Sequence, residues 1–222
     1  MNKVMIIAPH PDDETLGCGG TILRHISNGD DVYWCIITTA DGLTTDRKWL
    51  ERREEEIAQV TSAYGFKNVF KLNFVATKLD SVPDNNLINA IGDVFKEIKP
   101  NVVYVPYRGD IHSDHKIVYD ATMSCTKWFR FPSIEKVLIY ETISETNFAM
   151  NIDSIGFRPN VFSNISGYIN KKVEIMNIYE SEIASHPFPR SEESIRALAV
   201  LRGATAGVDA AEAFMLVKER IL

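Results

Sequence analysis

The sequence predicts an α/β fold with a mostly parallel sheet, and three observations carry that prediction. Short, continuous apolar runs alternate with longer segments of helical periodicity, the pattern of repeated strand–helix–strand units. The runs, such as Val4–Ala8 and Val102–Val105, are apolar at nearly every position, as strands buried on both faces are. No linker, internal repeat or low-complexity tract interrupts the 222 residues, so a single domain over 1–222 is expected.

The elements follow in order. Val4–Ala8 reads as the first strand. A helix over Glu14–Ser27 follows, with Leu16, Ile22, Leu23 and Ile26 on its apolar side. Val32–Thr38 is the second strand, and Asp46–Tyr64 is a charged helix stopped by Gly65. Val69–Phe74 is a short strand, Asn86–Ile98 a helix ended by Pro100, and Val102–Val105 the next strand. His115–Cys125 continues as a helix and Val137–Tyr140 as a strand. Beyond it the pattern loosens. Phe157–Ile165 is expected to hold an edge strand, because Pro159 argues against a central one. A helix is expected over Asn170–Ser185, broken by His186-Pro187-Phe188-Pro189-Arg190, and another over Glu192–Ala206 before Gly207. Ala210–Glu219 forms a short last element whose type the pattern does not set.

Composition narrows the function classes. Apolar residues make up 45% and charged residues 24%, which is ordinary for a folded soluble chain and not for a disordered one. The formal net charge is −6 and no basic stripe is visible, so no nucleic-acid partner is expected. No stretch reaches the roughly 20 apolar residues of a membrane span. The apolar N-terminal run is too short for a signal sequence, so the expected location is cytoplasmic. Cys18, Cys35 and Cys125 are widely spaced and form no C-x-x-C pair, which fits a reducing compartment; Cys18 reads as a small buried residue.

Two polar motifs carry the chemistry. Ala8-Pro9-His10-Pro11-Asp12-Asp13-Glu14 and His112-Ser113-Asp114-His115 each follow an expected strand, at Ala8 and at Pro106. Parallel strands gather their C-terminal ends at one edge, where ligands of open α/β sheets bind. The motifs are therefore expected to face each other across one cleft. Two His and one carboxylate drawn from them suit a catalytic zinc with a place left for water. Asp12 and Asp13 point differently in a turn, so one can coordinate while the other holds a water and takes its proton. The remaining His can act as acid or oxyanion partner, with Asp114 orienting it and raising its pKa.

The bland readings weigh against each piece alone. His112-x-x-His115 by itself is weak, and an Asp-Asp-Glu run at a helix start is ordinarily capping. The paired clusters reverse that balance. Gly17-Cys18-Gly19-Gly20 is not a phosphate loop: it lies inside the first helix and three acids precede it, so close helix packing explains it better. His25 reads as a surface or packing residue. His186 opens either a rim loop over the cleft or a plain turn.

These residues resemble the PIG-L/LmbE-like family of zinc-dependent N-acetylglucosaminyl deacetylases. The resemblance rests on Pro9-His10-Pro11-Asp12-Asp13-Glu14 with Gly17-x-Gly19-Gly20, then on His112-x-Asp114-His115. Arg53 with Glu56 matches the family's R-x-x-E element, and Arg202-Gly203, Gly207 and Ala211-Glu212-Ala213-Phe214 match its C-terminal pattern. It implies a Rossmann-like three-layer α/β/α sandwich. It implies His10, Asp13 and His115 as zinc ligands and Asp12 as the general base. It implies His112 as the oxyanion or leaving-group histidine, with Asp114 as its partner, and Arg53 as a substrate contact. Ser113 stands where the family more often has Pro, and 141–164 and 186–190 match none of its elements.

The resulting expectation is a hydrolase that removes the N-acetyl group from an N-acetylated amino sugar or its conjugate, with Zn2+ as cofactor, no membrane span and a homo-oligomer as a plausible assembly. The alternatives are an amidase acting on a larger sugar-linked amide and, from another class, a non-catalytic metal- or sugar-binding domain. The second would lack a base such as Asp12. A nucleotide-binding Rossmann domain would need a glycine loop after the first strand, where none stands.

Overall fold

The computed structural model describes residues 1–150 and 156–221. Five strands run parallel in the order β3-β2-β1-β4-β5: β1 (Lys3–Ala8), β2 (Asp31–Thr39), β3 (Asn68–Val75), β4 (Val102–Pro106) and β5 (Lys136–Tyr140). β7 (Ala211–Glu219) pairs antiparallel with β5, and β6 (Val161–Asn164) pairs antiparallel with β7 to form the edge. The C-terminal element of open type is thus a strand, and the edge strand lies just beyond Pro159.

Each central strand divides its apolar run between two cores, because successive side chains of a strand point to opposite faces. Val4, Ile6 and Ala8 pack on one side with α1 (Asp13–Ser27), α2 (Arg47–Tyr64), α5 (Ile169–Met176) and α6 (Glu192–Ala206). Met5 and Ile7 pack on the other with α3 (Asp84–Ile98) and α4 (Ser113–Ser124). This is the expected three-layer sandwich.

The helix ends obey local chemistry. Asp46 caps α2 by accepting from the backbone N–H groups of Lys48 and Trp49, and Gly65 ends it in the left-handed region at φ 80°. α3 stops one residue before Pro100, at Lys99, also left-handed at φ 53°. The main departure from expectation is α5, which ends at Met176 rather than Ser185. Tertiary contacts override the helical period there. Tyr179 is fully buried with its hydroxyl on Glu14 (2.8 Å), and Glu182 reaches Arg53 and Arg190.

β1 has β2 on one side and β4 on the other, so the strand order reverses direction at β1. The loops after β1 and β4 diverge from this switch point and leave a crevice between them.

Candidate metal centre and active-site cleft

The turn after β1 is fixed before any ligand chemistry begins. The backbone N–H and the hydroxyl of Thr38 both donate to the Pro9 carbonyl, at 3.0 and 2.8 Å. Asp12 takes the N-cap position of α1 with φ 133°, a conformation that side chains rarely adopt. Asp12 N–H donates to Glu14 Oε2 (3.0 Å), and His10 N–H donates to Asp13 Oδ2 (2.9 Å). Glu14 is fully buried and accepts from the hydroxyls of Thr15 (2.6 Å) and Tyr179 (2.8 Å); burial pushes its carboxyl up to about 7.

Glycines let α1 lie close enough to the sheet and its neighbours. A Cβ on Gly17 would stand 2.2 Å from Cδ2 of Tyr140, and one on Gly20 2.6 Å from Cγ2 of Ile165. The packing explanation of the Gly17–Gly20 run is therefore the one the structure bears out.

The loop after β4 brings the second motif opposite the first. The ring centroids of His10 and His112 lie 4.4 Å apart, and those of His10 and His115 5.6 Å apart. Nδ1 of His10 and Nε2 of His115 converge on one oxygen of Asp13, at 3.3 and 3.4 Å. His10, Asp13 and His115 each offer a donor atom within 4.8 Å of the others. His10, His112 and Asp114 form a second such group that shares His10.

Behind His115, Asp110 Oδ2 lies 2.7 Å from Nδ1, and Asp110 Oδ1 accepts from the Thr146 hydroxyl (2.6 Å). A carboxylate on the far nitrogen fixes the tautomer that leaves Nε2 free to ligate. Nitrogen and carboxylate donors, nearly buried and backed in this way, fit a divalent cation of the zinc type. Asp110 is a site residue that motif reading missed. Its signal was its place five residues before His115 at the start of the same polar loop.

The electrostatics follow from burial and close charges. Burial opposes protonation of His10, but hydrogen bonds to Asp114 and Asp13 outweigh it and raise its pKa to about 9. The same contest, with Asp13 and Asp110 as partners, raises His115. Asp13 is driven well below the ordinary carboxylate range by His115 and His10, against its burial. Asp12 moves the other way: burial and the adjacent Asp13 raise it, partly opposed by Arg190.

Two expectations need correction. The Asp114 carboxylate does not hold His112. It lies 3.1 Å from Nε2 of His10 and accepts from the Thr77 backbone N–H at 2.8 Å, which turns it toward the end of β3. Only the Asp114 backbone N–H reaches His112, donating to Nδ1 at 3.2 Å. His112 is also not raised in pKa. Burial and the neighbouring His10 and His115 lower it to about 4.

Arg53 lines the cleft, but its guanidinium is engaged by protein: it donates to Ser181 Oγ (2.9 Å), pairs with Glu182 and lies 3.3 Å from Glu56. Arg190 was seen in the sequence only as part of a break. It reaches into the site, donating to Asp12 Oδ2 and Glu182 Oε2 (both 2.7 Å) and to Ser144 Oγ (2.9 Å). The 186–190 segment therefore borders the cleft, although His186 itself points to solvent. His25 is a packing residue, placed between Asp30 (2.8 Å) and the Tyr104 hydroxyl (3.0 Å).

His10, Asp12, Asp13, His112, His115, Arg53, Glu182 and Arg190 open into one cleft of about 1070 Å³. It runs from His10, Asp12, Asp13, His112 and His115 to the N-terminal turn of α2 and the end of β3. Among the described residues no helix is long and apolar enough to cross a membrane.

Fold and site together define a Rossmann-like α/β protein with a His/carboxylate centre at its switch point. The PIG-L family model, described as GlcNAc-PI de-N-acetylase, matches residues 5–126, more than half of the chain, and the protein belongs to that family. A diacetylchitobiose deacetylase of Thermococcus kodakarensis is 26% identical, over 98% of this chain and 84% of its own length. The N,N'-diacetylchitobiose deacetylase structure from Pyrococcus horikoshii superposes with a TM-score of 0.78 at 21% identity, covering 98% of this chain and 84% of that one. A 4-carboxy-2-hydroxymuconate hydratase from Pseudomonas putida KT2440 superposes almost as well, with a TM-score of 0.76 at 17% identity over 100% of this chain and 98% of that one. The fold alone thus leaves the reaction open, and the site and the family have to decide it.

Proposed function

We propose that this protein hydrolyses the N-acetyl group of an N-acetylated amino sugar or its conjugate, with a divalent cation, zinc by its donor set, held by His10, Asp13 and His115. The observation that carries this reading is the buried Asp12 beside that donor group: a carboxylate at the centre yet not among its ligands. Membership of a de-N-acetylase family and the deacetylase relative support the sugar amide as substrate.

When bound, the cation would supply Lewis acidity toward the acetamide carbonyl and lower the pKa of water. Asp12 takes the proton of the attacking water. Its unusual backbone, pinned by Glu14, and the Arg190 guanidinium on its Oδ2 together set where that carboxylate points. His112 is neutral at pH 7. Since its Nδ1 accepts the Asp114 N–H, its proton sits on Nε2, which donates to the carbonyl oxygen as charge develops there. Water oxygen bonds to the acetyl carbon, the C–N bond breaks, and the proton held by Asp12 passes to the departing nitrogen. Acetate and free amine are the products.

The test is acetate release from a panel of N-acetylated sugars by metal-loaded and chelated protein, with Asp12→Asn beside the wild type. Expected are metal-dependent acetate from at least one member and a loss of about 10²–10⁴-fold in kcat for Asp12→Asn at unchanged metal content. Metal bound at one ion per chain with no acetate from any member would refute the reading. A rate within a few-fold of wild type for Asp12→Asn would remove the base assignment.

A further inference from the structure

The edge of the sheet opposite the cleft carries a surface of different chemistry. α4 starts beside the metal centre and runs away from it, so the turn between α4 and β5 lies at the N-terminal ends of the parallel strands. That turn reads Thr126-Lys127-Trp128-Phe129-Arg130-Phe131-Pro132-Ser133 and holds no acidic residue. Trp128 and Phe129 are each 63% exposed, more than any other aromatic side chain among the described residues. Two adjacent large rings left in water carry a solvation cost that a partner would relieve.

The turn is built to hold them there. The N–H groups of Arg130 and Phe131 both donate to the Lys127 carbonyl, at 2.9 Å. Phe131 packs inward, edge to face on Phe95. Trp128 and Phe129 stand edge to face with one another outside, 6.1 Å between centroids. The end of β7 fastens the turn from the side. Lys218 Nζ donates to the Thr126 carbonyl, and Arg220 donates to the carbonyls of Ile134 (3.2 Å) and Pro132.

These fastenings leave charge behind. Lys218 and Arg220 spend their hydrogen bonds on neutral carbonyls, Arg130 lies 5.8 Å from the Phe129 ring centre, and Lys127 is exposed. None of the four pairs with a carboxylate among the described residues. The neighbouring acids are engaged elsewhere: Glu219 with Lys136, Asp93 with Lys96, and Glu135 accepts from Asn101. Four cations thus surround two exposed rings in a chain whose net charge is −6.

Aromatic rings that settle at the headgroup level, with Lys and Arg facing anionic lipid around them, make a peripheral membrane contact. A second copy of the chain does not fit, because a two-fold contact here would set these cations against their own counterparts.

We infer that Trp128 and Phe129, with Lys127, Arg130, Lys218 and Arg220, form a docking surface for an anionic lipid bilayer, which holds the protein at a membrane with its cleft turned toward solution. The lipid is an anchor and not the substrate, and the inference stands independently of the reaction.

The test sediments the full chain with vesicles of phosphatidylcholine alone and of phosphatidylcholine mixed with phosphatidylglycerol. Binding to the mixed vesicles should be about tenfold or more tighter than to the neutral ones and should weaken with added salt. Trp128→Ala combined with Phe129→Ala should weaken it about tenfold or more, and Arg130→Gln about fivefold. Both variants should keep the melting temperature and zinc affinity of the wild type, since the side chains are exposed and lie on the opposite edge from the metal centre. If the double variant fails to fold, Arg130→Gln and Lys127→Gln carry the test. No binding to the mixed vesicles at low salt, equal binding to both kinds, or binding that the variants leave unchanged overturns the surface. So does a salt-dependent complex with an oligonucleotide in place of the vesicles, which would make the patch a nucleic-acid contact.

Discussion

At the scale of the residue, the centre depends as much on what stands behind the donor atoms as on the donors. Asp13 gathers both imidazoles, but His115 faces it in a fixed tautomer only because Asp110 takes Nδ1 at 2.7 Å. Removing the charge of Asp110 while keeping its shape should therefore loosen the metal without emptying the site. Asp110→Asn is expected to weaken zinc affinity by roughly 10–100-fold. Competition with a chromophoric chelator measures this, and unchanged affinity would show that Asp110 does not support His115. Asp114 plays a comparable part for His10. Its anchoring by the Thr77 N–H ties the first motif to the end of β3.

At the scale of the element, α1 is the part that must not move, because its N-terminus carries Asp12 and Asp13. It is clamped from several sides. Glu212 of β7 accepts from the Gly20 and Thr21 N–H groups at 2.9 and 2.8 Å, and Lys172 of α5 donates both to Glu212 (2.7 Å) and to the Leu16 carbonyl (2.8 Å). Arg202 of α6 holds Glu141, just after β5, through two hydrogen bonds of 2.7 and 2.6 Å. The C-terminal pattern read in the sequence is thus structural: it fixes α1 and the loop after β5. Close packing against Tyr140 is the tightest constraint. Gly17→Ala should force ring and helix apart and cost about 1–3 kcal/mol in urea unfolding. Metal affinity should fall as well, since the displaced helix carries Asp13. A variant of wild-type stability would mean that Tyr140 gives way freely.

At the scale of the whole molecule, metal binding is coupled to protons. A metal needs neutral imidazole. In the metal-free protein His10 has a pKa of about 9 and His115 is raised too, so both rings hold protons at neutral pH. The proton on His10 therefore competes with the metal up to about pH 9, and the proton on His115 adds to that competition. Zinc affinity should rise with pH up to about 9, by roughly tenfold per unit for each proton displaced. Titration calorimetry in buffers of different ionisation enthalpy should show proton release near pH 7, and affinity flat between about pH 7 and 9 would contradict the coupling. The bound metal should also raise the melting temperature, since it binds only the folded chain.

How far the sequence reached follows from the range of each interaction. It was enough for the parallel sheet, for most helix ends and for the meeting of two motifs a hundred residues apart. Apolar runs, caps and glycines are local signals, and parallel strands put their C-terminal ends at one edge whatever the detail. In the last third it was enough for the helix over Glu192–Ala206 and for the edge strand, but not for the segment between them. Asn170–Ser185 has a helical period throughout, yet the contacts of Tyr179 and Glu182 with residues far away in the chain end the helix at Met176. The same holds within the site. Motif spacing singled out His10, Asp12, Asp13, His112 and His115, which the fold brings to one cleft. Which carboxylate faces which imidazole was decided by the Thr77 N–H, and the arrival of Arg190 beside Asp12 by a loop outside the family match. Local chemistry is written in neighbouring residues. The pairing of hydrogen-bond partners across 37 or 178 positions is not, because it depends on where the packed layers bring the chain.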